Sequence, residues 1–418
     1  MTHGPADFPA HAIRDLAARW LPRLGDDDFV CSPAGLWLAL GAVASGARGR
    51  TGEELAELLG VAVEEAAVAV TAAARSVGAT DGLAVATGMW SKVPVREAFR
   101  RGLPGVRWGV LPGAAWFALP DEVLGATDDV SLGEIAQDAQ PELDAWVRKA
   151  TGGRIERMPL ELDGSEELVL LNALALKASW LTAFPGHLTR DEPFTDGYGD
   201  TWPVPTMRRR IPAAWVWYVD GVTVVELPCR GSGSGSVSGA GPGPGHGVGH
   251  GDGGALVRFV LGPEGAGPAD VLPAAWAGTG ERRALEADAA DLALPRFTLR
   301  TKTAAHEHLP ALGVGLALRP GADFSGLSPA DLMLAKVVQE AVVEVAEDGV
   351  EAAAVTQVTM ARGAAAPRRQ VVERVAFDRP FGVAVLDSSG EVPLFAGWRQ
   401  SAPGSRPAEP AESAGETP

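Results

Sequence analysis

Nine consecutive residues, Leu168–Leu176 (LVLLNALAL), carry one polar side chain, Asn172, and no charge. A strand with one wet face alternates apolar and polar residues, whereas a run without alternation belongs to a strand covered on both faces. The chain must therefore supply a layer on either side of a sheet. Its 418 residues suffice, as one large mixed domain or as two to three smaller ones. Around the run, helical and strand periods mix. Residues 11–24 place Ile13, Leu16, Trp20 and Leu24 on one stripe. Ser32 followed by Pro33 marks the start of a second helix, continued by the stripe Leu36, Leu40, Val43. Thr51 and Glu54 have capping-box spacing for a third, with Leu55, Leu58 and Leu59 as its buried face. Helices between 60 and 82 look short. Residues 83–90 alternate as a strand, 131–150 read as a helix stopped at Thr151-Gly152-Gly153, and 222–227 with 256–261 read as a strand pair.

Charge and composition remove whole classes of function. Lys and Arg number 36 against 53 Asp and Glu, a formal charge of −17, which excludes the basic stripe that nucleic-acid binding needs. Only five basic residues are Lys, and the Ala, Gly and Arg bias suggests a GC-rich, bacterial source. Two cysteines, Cys31 and Cys229, are too few for a disulfide framework or a Cys-rich zinc site and read as buried thiols. No apolar stretch reaches the length of a membrane span, and residues 1–10 lack a basic region followed by an apolar run, so a cytoplasmic location is expected, with the extracellular space as the alternative. Residues 231–254 hold 12 glycines and cannot offset their ordering entropy, so they read as a flexible hairpin insertion. The tail 401–418 reads as disordered. His246 and His250 lie in that insertion and His306 with His308 elsewhere; none has the context of a metal site, and no metal or cofactor is expected. No G-x-S-x-G elbow marks a hydrolase.

The segment 337–366 (VVQEAVVEVAEDGVEAAAVTQVTMARGAAA) is the unusual one. Residues 337–345 read as a strand and Glu347, Asp348 and Gly349 as a turn. Past the turn, Val350, Ala352, Ala354, Thr356, Val358 and Met360 alternate with Glu351, Ala353, Val355, Gln357 and Thr359. A period of two with one apolar face is a half-buried strand, and no proline from 342 to 366 forbids a central position. An ordinary hairpin strand or an Ala-rich helix explains composition alone equally well.

Several motifs in order resemble the serpin (serine protease inhibitor) family over residues 10–400. They are Phe29-Val30-Cys31-Ser32-Pro33, Ala145-Trp146-Val147 with Thr151-Gly152-Gly153-Arg154-Ile155, Leu171-Asn172-Ala173-Leu174 through Lys177, Trp180 and Phe184, Leu294-Pro295-Arg296-Phe297, Ala322-Asp323-Phe324-Ser325-Gly326-Leu327, Phe377-Asp378-Arg379-Pro380-Phe381 and Phe395-Ala396-Gly397. The resemblance implies an α+β fold of three β-sheets and about nine helices, with an exposed reactive-centre loop, in a single domain over 5–400. It implies an inhibitor and not an enzyme. The loop is cut as a suicide substrate, an acyl-enzyme forms, and the loop enters the main sheet as a new strand. A non-inhibitory serpin-fold binding protein is the alternative.

The resemblance also assigns residues. Gly349, Val350, Glu351, Ala352, Ala353, Ala354 and Val355 stand at the loop hinge, without the charge or bulk of non-inhibitory members. Ser32, Asn172, Gln339 and Trp180 stand at a polar cluster that governs sheet opening. Arg362-Gly363 is the favoured scissile bond, which suits a trypsin-like serine protease; Gly363-Ala364 would suit a subtilisin- or elastase-like one, and Arg368 and Arg369 are rivals. The implied partner is that protease, with the chain a monomer and neither nucleic acid nor membrane involved. Three departures stand out: Gly35 where the family has a second serine, Gln339 where it has histidine, and Gly382 where it has a large apolar residue.

Overall fold

All nine residues of the Leu168–Leu176 run are buried, because they serve two cores. Leu168, Leu170, Leu174 and Leu176 enter the larger core, and Val169, Leu171 and Ala173 enter a second one on the other face of the sheet. The computed structural model describes residues 10–111, 140–157, 166–231, 253–350 and 370–404. Their helices are α1 (Ala10–Trp20), α2 (Pro33–Ala44), α3 (Gly49–Leu59), α4 (Val63–Gly78), α5 (Glu97–Gly102), α6 (Gln140–Ala150), α7 (Pro268–Val271) and α8 (Ala305–His308).

Three sheets carry the strands. The main sheet holds β2 (Leu83–Ser91), β3 (Val106–Val110), β4 (Leu168–Leu176), β5 (Ala178–Ser179), β13 (Phe297–Ala304), β14 (Lys336–Ala346) and β15 (Gly349–Val350). Its order is β3-β2-β4-β14-β15-β5, with β13 on the other edge of β14. A second sheet runs β1 (Phe29–Cys31), β18 (Pro393–Arg399), β17 (Phe381–Leu386), β10 (Leu256–Leu261), β9 (Val222–Pro228), β8 (Val216–Val219) and β11 (Arg283–Ala284). The third runs β16 (Val372–Ala376), β12 (Ala289–Pro295), β7 (Thr201–Pro212) and β6 (Arg190–Thr195). Within the main sheet β4 and β14 are parallel, pairing Val169–Ala175 with Lys336–Val342. This seam is the parallel ladder in the middle of the sheet, and parallel pairs are slightly weaker per residue than antiparallel ones.

The helices differ from their sequence reading in instructive ways. Ser32 does cap α2, its Oγ accepting from the Gly35 N–H at 3.0 Å. Yet all twelve residues of α2 are buried, so the helix is enclosed and not striped. Thr51 is no cap: α3 starts at Gly49, after an extended Arg48. Thr51 Oγ1 instead accepts from the Asp323 N–H, and Glu54 Oε2 accepts from the Gly315 and Leu316 N–H groups at 2.8 Å, tying a distant loop to the helix. The stretch between 60 and 82 forms one 16-residue helix, α4. α6 lies over the second core, burying Leu143 and Val147 beside Trp90. It stops as expected, with Gly152 and Gly153 at positive φ and the Gly153 N–H bonded to the Arg148 carbonyl at 2.7 Å. The earlier half of that expected helix, the tail from 405 and residues 232–252 of the glycine-rich insertion lie outside the described residues. The strand pair flanking the insertion forms as expected, with Leu256 opposite Pro228.

Candidate functional site

The hinge begins inside the sheet. After the turn at Glu347 and Asp348, Gly349 and Val350 pair antiparallel with Ala346 and Val345 of β14 on one side and with Ser179 and Ala178 of β5 on the other. Two residues of the segment thus already occupy the top of the seam. Gly349 is there because nothing larger fits: a Cβ would lie 2.1 Å from the Ala178 carbonyl oxygen. Val350 is 1% exposed and belongs to the larger core.

Hydrogen bonds pin the turn from outside. The Trp180 indole N–H donates to the Ala346 carbonyl at 2.8 Å, the Trp180 backbone N–H to the Asp348 carbonyl at 2.9 Å, and the Phe184 N–H to the Glu347 carbonyl at 2.8 Å. Glu347 accepts from the Thr189 hydroxyl at 2.9 Å and lies 3.7 Å from the Arg296 guanidinium. Trp180 therefore belongs to the hinge clamp and not to the polar cluster in which the sequence placed it. Thr189, Arg296 and Glu347 were not singled out as site residues, because their partners lie far away in sequence.

The cluster lower in the seam is assembled differently from its sequence reading. Gln339 grips the backbone of Ser32 with both ends of its amide, accepting from the Ser32 N–H at 2.6 Å and donating to the Ser32 carbonyl at 2.9 Å. The Ser32 hydroxyl donates to the Leu394 carbonyl at 2.6 Å. Asn172 faces Gln339 across the seam, but its amide donates to the Thr87 hydroxyl at 3.1 Å, and its buried Oδ1 has no hydrogen-bond partner among the described residues. Thr87, in the alternating strand 83–90, was visible in the sequence but its register was not. The glycine at 35 has a direct cause: a Cβ there would lie 2.0 Å from Asn172 Oδ1. At Gly382, Leu272 and Val260 fill the space, each 2.6 Å from where a Cβ would be.

Glu351, Ala352, Ala353, Ala354, Val355, Arg362, Gly363, Arg368 and Arg369 lie outside the described residues. The thiols of Cys31 and Cys229 are buried, which raises both, Cys229 to about 12. They are not available as thiolates. His308 accepts from the Trp20 indole N–H through Nδ1 at 2.9 Å, and burial lowers its pKa. Among the described residues no group of three His, Cys, Asp or Glu side chains could hold a metal ion.

A three-sheet fold whose central seam is entered at one end by the start of a loop defines the class. Comparison with known proteins agrees: the serpin (serine protease inhibitor) family model matches residues 125–238 and 274–401. Serpin-Z2B of Oryza sativa subsp. japonica is 30% identical over 414 residues, covering 91% of this chain and 94% of the relative. The chain belongs to the serpin family. Two solved structures share the fold. Serpin48 of the insect Tenebrio molitor has a TM-score of 0.71 at 22% identity, covering 96% of this chain and all of the other. Human thyroxine-binding globulin, solved with thyroxine, has a TM-score of 0.72 at 21% identity, covering 95% and 99%.

By family the chain is an inhibitor-type protein and not an enzyme, related to inhibitory and non-inhibitory serpins alike. The general serpin–protease interaction comes with that membership. One expectation is overturned. Relatives such as the rice Z-serpins and thyroxine-binding globulin favour the extracellular space, so cytoplasmic placement does not stand.

Proposed function

We propose that the chain inhibits serine endopeptidases as a suicide substrate, acting as a monomer through a single domain over residues 5–400. The observation that carries this reading is the seam between β4 and β14, already entered by Gly349 and Val350. The protease serine oxygen adds to the carbonyl carbon of Arg362. The Arg362–Gly363 bond breaks, Gly363 leaves as an amine carrying the transferred proton, and an ester joins Arg362 to the protease. The freed segment then extends β15 down the seam.

The existing register sets where each residue would go. Continued one step at a time, Ala352 falls between Val343 and Leu176, Ala354 between Ala341 and Leu174, Thr356 between Gln339 and Asn172, and Val358 between Val337 and Leu170. The two walls give the same heights independently, since Ala341 and Leu174, and Gln339 and Asn172, already face each other in the closed sheet. Val343, Ala341, Val337, Leu176, Leu174 and Leu170 all belong to the larger core. The even-numbered, largely apolar series of the loop is thus the one directed at that core, which suits insertion.

Arg362 at the cut favours a trypsin-like target, because guanidinium suits a primary pocket with a buried carboxylate. A bacterial source is supported by the Ala, Gly and Arg bias, and the codon usage of the genomic locus tests it. Incubation with trypsin and with subtilisin tests the function. The expected product is an SDS-resistant band at the summed mass, with mass spectrometry placing the cut at Arg362-Gly363. Cleavage in the loop with no such band would overturn inhibition in favour of a non-inhibitory binding protein.

A further inference from the structure

A cleft of about 750 Å³ opens beside β8, β9 and β10 and the turn preceding β18, with Arg14 of α1 at its rim. Trp217 lines it. The residue is 6% exposed, and its indole N–H is buried with no hydrogen-bond acceptor among the described residues. Two guanidinium groups lie against its ring, Arg258 at 5.4 Å and Arg282 at 4.5 Å from the ring centre.

The two arginines are not equivalent. Arg258 is satisfied: it donates to Glu226 Oε2 at 2.8 Å, to the Ala275 carbonyl at 2.6 Å and to the Gly390 carbonyl at 3.3 Å. Arg282 donates only to the Ala277 carbonyl, at 3.3 and 3.2 Å, and no carboxylate is within ion-pair distance of it among the described residues. Burial, aided by the neighbouring Arg258 charge, lowers its pKa. Within a chain of formal charge −17, this cleft presents three arginines against Glu226 and Glu391.

Two deficits therefore share one concave, largely apolar wall: a buried donor without an acceptor and a half-buried cation without an anion. A single anionic group supplies both, and the alanines, Val216 and Leu285 around it suit a flat apolar body. We propose that this cleft binds a small organic anion, a carboxylate or sulfonate on an aromatic or polycyclic frame, held by Arg282 and the Trp217 N–H and stacked on the indole. The inference uses no seam residue and does not depend on protease inhibition.

The test is titration of the intact chain with 1-anilinonaphthalene-8-sulfonate, followed by probe fluorescence and calorimetry. One saturable site is expected. Trp217→Phe keeps the ring and removes the donor, Arg282→Gln removes the charge, and each should weaken binding by about ten-fold. N-phenyl-1-naphthylamine, the same frame without the sulfonate, should bind the unaltered chain about ten-fold more weakly. Non-saturable binding, or equal affinity of both probes for the unaltered chain, would overturn the proposal even where a variant does not fold. So would unchanged affinity in the two folded variants.

Discussion

Ala354→Glu tests the register most directly. In the closed sheet Ala341 and Leu174 face each other, and both are fully buried. An inserted residue 354 lies between them, with its side chain toward the larger core. Neither neighbour offers a side-chain hydrogen bond, and the nearest polar pair, Gln339 and Asn172, is two residues further along the seam. A glutamate there must go in neutral, since an unpaired buried carboxylate costs more. Protonating a carboxyl of pKa about 4.3 at pH 7 alone costs about 3.7 kcal/mol. If half of that is felt at the rate-limiting step of insertion, the step slows by roughly 20-fold. Deacylation then competes, and the variant is consumed as a substrate. Titrating trypsin with intact variant should show the stoichiometry of inhibition rising by about that factor, with cleaved inhibitor replacing the SDS-resistant band. Ala354→Val, apolar at the same place, should retain complex formation. An unchanged stoichiometry for Ala354→Glu would refute the register and the phase together.

Three further outcomes follow from the same geometry. Thr356→Val should leave the uncut protein unchanged but lower the stability of the loop-cleaved form by about 1–2 kcal/mol, because the hydroxyl would otherwise meet the unpartnered Oδ1 of Asn172; thermal melts of both forms check it. Deleting residues 232–252 should change neither melting temperature nor inhibition rate, because the β9–β10 ladder continues to a Cys229 N–H to Ala255 carbonyl bond of 2.8 Å without them; a large fall in either would show that the segment is structural or touches the target. Cleavage in the loop should raise the melting temperature by tens of degrees through a completed central strand, on the order of 10–20 kcal/mol of added burial and ladder bonds. Arg362→Ala should abolish fast reaction with trypsin while preserving that rise after a cut elsewhere, and an unchanged melt in a cleaved chain would contradict insertion.

What could be read from the sequence was decided by how local the cause was. The Leu168–Leu176 run was legible because burial on both faces leaves its mark residue by residue. The cap at Ser32 was legible because donor and acceptor are three residues apart. The same logic misplaced the start of α3, since Thr51 and Glu54 spend their oxygens on a loop more than 250 residues away. Polarity marked Asn172 and Gln339 as noteworthy, but which partner each would choose depended on the register of β2, β4 and β14, which no local pattern encodes. Trp180 shows the limit well: its neighbours in sequence suggested the polar cluster, and its indole hydrogen bond put it at the hinge. The organic-anion cleft was invisible for the same reason, being assembled from strands, a first-helix arginine and a turn near the C-terminus.

The two residues of β15 between β14 and β5 act like the slider of a zip left engaged at the top of its track. Starting a new strand inside a sheet would require the chain to find the gap, choose a direction and fix a register before gaining a single bond. Here all three choices are made before any protease arrives. What remains is travel: each step parts one rung of the β4–β14 ladder and closes two new ones behind it. The rate is then governed by how readily those parallel rungs separate and not by a search through loop conformations. A molecule built this way keeps time with its seam. A change far from the cut that tightens Val169–Ala175 against Lys336–Val342 would delay capture, and one that loosens them would let an uncut loop creep inward and retire the inhibitor unused.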